Sequence, residues 1–103
     1  MKTAYQGDIL QVEGVRGDVV VASTNRFNRS GVVVACPLIH DGEPGPLHIE
    51  VHGREIHGVV ICEQLKSLDL SARGYSKRDE ISLEEIMEVS DAIQGIFDYI
   101  YGG

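Results

Sequence analysis

The segment GVVVACPLIHD, residues 31 to 41, delivers an imidazole to the end of an apolar run. Four of its first five residues are Val or Ala, which suits a buried strand; Cys36, Pro37 and two more apolar residues lead to His40 and Asp41. An imidazole titrates near neutral pH, so at a strand end it can act as general base or general acid. Asp41 is the adjacent carboxylate, although neighbours on a strand point to opposite faces. A second cluster, His48-x-Glu50-x-His52 in PLHIEVH, has metal-binding residue types on one strand face, with Leu47, Ile49 and Val51 on the other. Its outer members would stand about 13 Å apart along an extended strand, too far to share one ion. That pattern reads as a solvated strand face, and His57 in a turn carries no signal. Cys36 and Cys62 lie in apolar runs, form no CxxC pair, and read as reduced core residues of a cytosolic protein.

The elements that must position these groups follow from spacing. GDILQVE (Gly7 to Glu13) and GDVVVAS (Gly17 to Ser23) read as strands joined by a tight GVRG turn, where Gly accepts positive φ. STNRFNRSG reads as a loop. The segment holding His40 is the third strand. DGEPGPLHIEVHG reads as a turn and a strand, with Pro44 and Pro46 keeping its start outside the ladder. GVVICEQ (Gly58 to Gln64) is a further strand, KSLDLSAR a short helix, and GYSKRDEIS a final strand. Ser82 and Glu85 make a capping box, and Leu83, Ile86, Val89, Ile93, Phe97 and Ile100 line one face of the helix that follows. Several short strands closed by one amphipathic helix predict a small, strongly bent barrel in a single domain, residues 1–103.

Composition bounds the function. The 103 residues are 43% hydrophobic and 24% charged, an ordinary globular mixture. No apolar run approaches the ~18 residues of a membrane span, and MKTAYQGDIL lacks a signal-peptide pattern, so the expected location is cytoplasmic, with no membrane partner. The net charge of −7 is concentrated at the C-terminus: Asp79 to Gly103 holds seven acids and no Lys or Arg. A polyanion would have to bind elsewhere, where Arg16, Arg26, Arg29, Lys66, Arg73, Lys77 and Arg78 supply cations. RGD at residues 16 to 18 also spells an integrin-binding tripeptide, here read as chance.

In order along the chain, GDILQVEG, VRGDVVVAS, NRFNRSGVVVACPL, GVVICEQLKSLDLSAR and ISLEEIMEV resemble the MazF/PemK family of toxin ribonucleases. The family pattern opens G-D-[IV], continues through an R-P-[AV]-[LV]-V strand, an N-x-x-[FY]-N loop and a V-C-P-[IL]-T strand, and closes on an S-x-E-E-[LI] helix. The resemblance covers nearly the whole chain. It implies a mainly β fold with α, an SH3-like barrel closed by a C-terminal helix, usually a homodimer. It also implies metal-independent cleavage of single-stranded RNA, no cofactor, and control by an antitoxin protein.

The family active site pairs an Arg after the first hairpin with a Ser or Thr at the end of the C-P-[IL] strand. The Arg maps onto Arg16. Two positions depart from the pattern: the first loop shrinks to EGVRGD, with Gly17 in place of the Pro, and the hydroxyl position is Ile39, followed by His40. In this route the ribose 2′-OH attacks phosphorus, so the protein need only move protons and steady charge. Arg16 would hold phosphate oxygens with paired N–H donors, and His40 would stand in for the missing hydroxyl. Arg26, Asn28, Gln64, Lys66 and Arg73 are the expected RNA-binding residues, with Asn28 and Gln64 matching family positions near the functional surface. A second reading is a catalytically degenerate barrel of the MazF/CcdB type that binds a protein partner, presenting Phe97, Tyr99 and Tyr101.

Overall fold

The first two strands leave the N-terminal segment as a hairpin. β1 (Asp8–Val12) and β2 (Asp18–Val21) pair antiparallel, Ile9 opposite Val20 and Gln11 opposite Asp18. The computed structural model describes residues 3–98. Gly14 and Gly17 turn the hairpin with φ of 81° and 74°, left-handed conformations that a side chain resists. Thr24 caps a single helical turn, α1 (Asn25–Asn28), within the segment expected to be an irregular loop.

β3 (Val32–Ile39) is the spine of the sheet. Along one edge it pairs β2 from Ala35 to Leu38. Along the other it pairs β6 (Lys66–Asp69) through Val32 to Ala35, then β5 (His57–Ile61) through Leu38 and Ile39. Pro37, which has no N–H to donate, falls at the handover between these partners. β4 (His48–His52) pairs β5, and β7 (Tyr75–Glu80) pairs β1, giving the order β4-β5-β3-β2-β1-β7 with β6 beside β3.

Two expectations are corrected. KSLDLSAR forms no helix: Lys66 to Asp69 is a strand, and Leu68 and Leu70 are buried at a spacing of two, the period of a strand. GVVICEQ is a strand only to Ile61; Cys62–Gln64 is a turn of 3-10 helix.

Strand pairing among the described residues does not close into a barrel, because β4 and β7 each pair with one neighbour and remain edges. A side chain spans part of this gap. The Asp79 carboxylate on β7 accepts from the amides of Arg54 (3.0 Å), Glu55 (2.8 Å) and Ile56 (2.8 Å) in the turn between β4 and β5. A Cβ at position 53 would lie 2.5 Å from Asp79 Oδ2, so the close approach requires Gly53.

Alternation along the strands sorts the core onto the two faces of the sheet. Leu10, Val12, Val19, Val21, Val33, Ala35, Leu68 and Leu70 form one cluster. Ile9, Val20, Cys36, Leu38, Val51, Val60, Cys62 and Ile81 form the other, covered by Ile86, Val89, Ala92 and Ile93 of α2 (Leu83–Phe97). The capping box forms as expected: Ser82 Oγ accepts from the Glu85 amide, and Glu85 Oε1 accepts from the Ser82 amide. The apolar stripe runs past its contact with the sheet, leaving Leu83 71% and Phe97 72% exposed. Ile100, Tyr99 and Tyr101 lie outside the described residues. No helix of the described residues is long and apolar enough to cross a membrane. Cys36 and Cys62 are free and buried, as expected, and burial pushes their thiols up to about 12 and about 11.

Candidate active site

Strand register lays a polar row across one face of the sheet. Gln11 lies opposite Asp18, and Asp18 opposite Leu38. His40 follows Leu38 by two positions, where its imidazole reaches Asp18: Nε2 stands 3.3 Å from Oδ2. The other ring nitrogen, Nδ1, stands 3.2 Å from the His57 carbonyl oxygen on β5. Arg78 enters from β7. Ile9 pairs with Asp79 and Leu10 with Lys77, so Arg78 is the extra residue of a β-bulge. Its Nη1 lies 3.9 Å from Asp18 Oδ1 and 3.4 Å from Gln11 Oε1.

The electrostatics of this cluster are asymmetric. The Asp18 side chain is 8% exposed, whereas His40 is 60% and Arg78 46% exposed. A buried carboxylate is tolerated when positive or hydrogen-bond-donating groups face it, and here the guanidinium and the imidazole both keep an open side. The imidazole faces two oxygen acceptors. Nδ1 hydrogen-bonds the His57 carbonyl, whereas Nε2 stands within ion-pair distance of Asp18 without a hydrogen bond.

The neighbouring groove, about 390 Å³, is lined by Arg54, Glu55, Lys77, Arg78, Asp79 and Glu80. Lys77 is engaged by Asp8 (3.3 Å) and Glu80 (2.8 Å), and these contacts hold its ammonium pKa up. The amides of Glu55 and Ile56, with those of Arg54 and Glu80, hold the Asp79 carboxyl well below the usual carboxylate range. Asp79 is therefore a fixed anion that anchors the turn beside Arg78.

The remaining residues singled out from sequence are dispersed. Arg16 is exposed in the first hairpin, two residues before Asp18, and makes no hydrogen bond or ion pair with the described residues. Asp41, also exposed, has no ion-pair or hydrogen-bond partner among them; the carboxylate beside His40 is Asp18. Arg26 is exposed on α1, Gln64 in the 3-10 turn, and Lys66 on β6 opposite Ala35. Asn28 is buried, its amide exchanging hydrogen bonds with Ser23 Oγ and the Ser23 carbonyl.

Arg73 donates to the Glu13 carbonyl at 3.3 Å. Together with Arg29, Asn28 and Tyr75 it lines a cleft of about 550 Å³ over Ala4, Val33 and Leu70. Val33 and His40 are about 23 Å apart along an extended strand, so this cleft and the His40 cluster occupy opposite ends of β3. His48 and His52 pair with Glu63 (3.0 Å) and Glu50 (3.2 Å). No three His, Cys, Asp or Glu of the described residues are grouped to hold a metal ion.

Sequence reasoning missed Asp18 and Gln11. Arg78 was one of several dispersed cations. The available signal was an acid opening an apolar strand, but its partner depended on the register between β2 and β3.

The sequence profile of PemK-like, MazF-like toxins of type II toxin–antitoxin systems matches residues 6–97. The chain belongs to this family. It is 28% identical to the endoribonuclease toxin MazF of Escherichia coli K12, the match covering 78% of this chain and 72% of that protein. It is 30% identical to the endoribonuclease toxin ChpB of the same strain, over 74% of this chain and 69% of that one. Among solved structures, MazE–MazF of Deinococcus radiodurans superposes with a TM-score of 0.83 at 20% identity, covering 94% of this chain and 98% of that one. A mycobacterial endoribonuclease in complex with its cognate antitoxin gives 0.77 at 17% identity, covering 91% and 94%. These two show the shared MazF fold.

Proposed function

We propose that this PemK/MazF-family chain is a toxin of a type II toxin–antitoxin system that cleaves single-stranded RNA without a metal. The observation that carries the reading is an exposed imidazole and an exposed guanidinium sharing one buried carboxylate at the end of β3. The reaction class comes from the relatives, which are named as endoribonucleases. In this reading the coiled sheet is an SH3-like barrel whose ladder stops short of closure. The ribose 2′-oxygen attacks phosphorus, Arg16 on the hairpin steadies the phosphate, and His40 moves a proton. In this reading Arg26, Gln64, Lys66 and Arg73 bind the chain beyond the scissile bond, and Asn28 supports them by holding its loop.

The partners follow from the same reading: single-stranded RNA as substrate, an antitoxin protein as inhibitor, and a second copy of the chain. Exposed Leu83, Met87, Ile96 and Phe97 on α2 leave apolar surface for a protein partner. The compartment is the cytoplasm, where both RNA and reduced Cys36 and Cys62 belong.

Purified protein is incubated with a mixed RNA pool and the new 5′-hydroxyl ends are mapped. Cleavage at a recurring short motif, lost in Arg16→Ala and in His40→Ala, supports the proposal. Intact RNA with folded wild-type protein overturns it and leaves a protein-binding module. Light scattering reads the dimer directly: about twice 11.3 kDa supports it, and the monomer mass contradicts it.

A further inference from the structure

Asp18 occupies a place that neither Arg16 nor His40 explains. It opens the apolar run of β2, yet its side chain is buried. The pairing of Asp18 with Leu38 sets it beneath the point where β3 ends and His40 begins. Its two oxygens face different groups, Oδ2 the imidazole and Oδ1 the Arg78 guanidinium. On the far side of the ring, the His57 carbonyl fixes Nδ1. The imidazole is thus held at Nδ1 by β5 and lies against the β2 carboxylate, with 60% of its side chain exposed. Arg78 reaches Asp18 and Gln11 through Nη1, and its side chain is 46% exposed.

We infer that Asp18 is the positioning residue of the site, its buried carboxylate setting the place of the His40 ring so that Nε2 serves as the acid that protonates the leaving 5′-oxygen of RNA. The inference rests on the nuclease reading above. In the step it describes, the bond between the 2′-oxygen and phosphorus forms and the bond between phosphorus and the 5′-oxygen breaks. The 2′-hydroxyl proton passes to water. The Nε2 proton of His40, which makes no hydrogen bond to Asp18, passes to the departing oxygen. His40 regains its proton from solvent. Arg78 contacts the non-bridging phosphate oxygens while Asp18 stays beneath it. The products are a 2′,3′-cyclic phosphate and a 5′-hydroxyl.

This assignment separates acid from scaffold by the leaving group. A 5′-bridging sulfur leaves as a thiolate and needs no proton, so a variant that has lost only its acid regains rate on such a substrate. The experiment uses the full chain and an RNA oligonucleotide holding the mapped cleavage site, with its 5′-phosphorothiolate counterpart. Asp18→Asn and His40→Gln are each expected to lower kcat on the natural linkage by about 100-fold with little change in KM. Both should recover to within about threefold of wild type on the sulfur linkage, the protonation contribution having been removed. Asp18→Glu, which restores a carboxylate, should regain part of the loss, and Asp41→Asn should match wild type.

Equal losses on both linkages, or Asp18→Asn with wild-type kcat, overturn the inference while the nuclease reading stands. A wild type that cuts neither substrate overturns the nuclease reading itself. Ring-nitrogen NMR shifts of His40 read the positioning without turnover. A His40 ring-nitrogen shift that moves in Asp18→Asn and stays in place in Asp41→Asn supports it; a shift that Asp18→Asn leaves unmoved overturns it.

Discussion

His40 Nε2 lies 3.3 Å from Asp18 Oδ2, and its sequence neighbour Asp41 makes no ion pair with it. The relationship exists because β2 and β3 pair with Asp18 opposite Leu38, and it places a buried anion under the imidazole. It divides the site into a scaffold that must stay folded and outward groups that can be removed without harming the fold.

Arg16 belongs to the second kind. It is exposed and engages no described residue. Arg16→Ala should leave stability within about 0.5 kcal/mol of wild type, because surface substitutions away from packed or bonded features rarely do more. Its RNA cleavage should fall by about 100-fold, the size of effect seen when one charge-stabilising donor is lost. Thermal melts and initial cleavage rates on one preparation check both halves. A variant that loses both together would show Arg16 to be structural.

Asp79 belongs to the first kind. It accepts three amides of the turn after β4 and the Glu80 amide of its own strand. Asp79→Asn should cost about 2 kcal/mol in urea unfolding at pH 7, since a buried charged acceptor is replaced by one that presents N–H groups to N–H donors.

The pH dependence of that cost has a definite sign. The carboxyl is held below its ordinary value of 3.8 in the folded state, so its stabilisation is complete above that value and is lost as pH falls through the depressed one. The stability gap between wild type and Asp79→Asn should narrow as unfolding is repeated at about pH 3 and then about pH 2. A gap that widens with acid would contradict the assignment.

Glu85 ties the helix to the sheet. Its Oε1 accepts from the Ser82 amide and its Oε2 from the His52 amide, at 2.6 Å. Glu85→Ala therefore removes half of a capping box and the link between α2 and β4, and should cost about 1–2 kcal/mol. Hydrogen exchange at the His52 amide should rise in step. Unchanged exchange at that amide would show that the link does not form in solution.

The thiols offer a test of the core. With burial raising Cys36 to about 12 and Cys62 to about 11, little thiolate exists at neutral pH. Iodoacetamide should leave both unmodified in the native protein and alkylate both in denaturant, as mass spectrometry would read.

Much of the fold was legible because its signals are local. Gly14 and Gly17 mark the first hairpin, and Ser82 with Glu85 marks the start of the helix at the residue where it begins. Lys66 to Asp69 was not legible, because four residues carry almost no periodicity and their strand exists only through pairing with β3. Of the candidate cluster, one member was legible. His40 stood out as an imidazole ending an apolar strand. Asp18 and Arg78 did not, since one depends on cross-strand register and the other on a bulge in β7.

The most direct test of the central claim treats chelator-washed protein with single-stranded RNA and with the same sequence as a duplex. Cleavage of the single strand alone, in the presence of EDTA, leaving 5′-hydroxyl and 2′,3′-cyclic phosphate ends and slowed by about 100-fold in His40→Gln, is the predicted result. Intact single strands, or cleavage at the wild-type rate without His40, would contradict it.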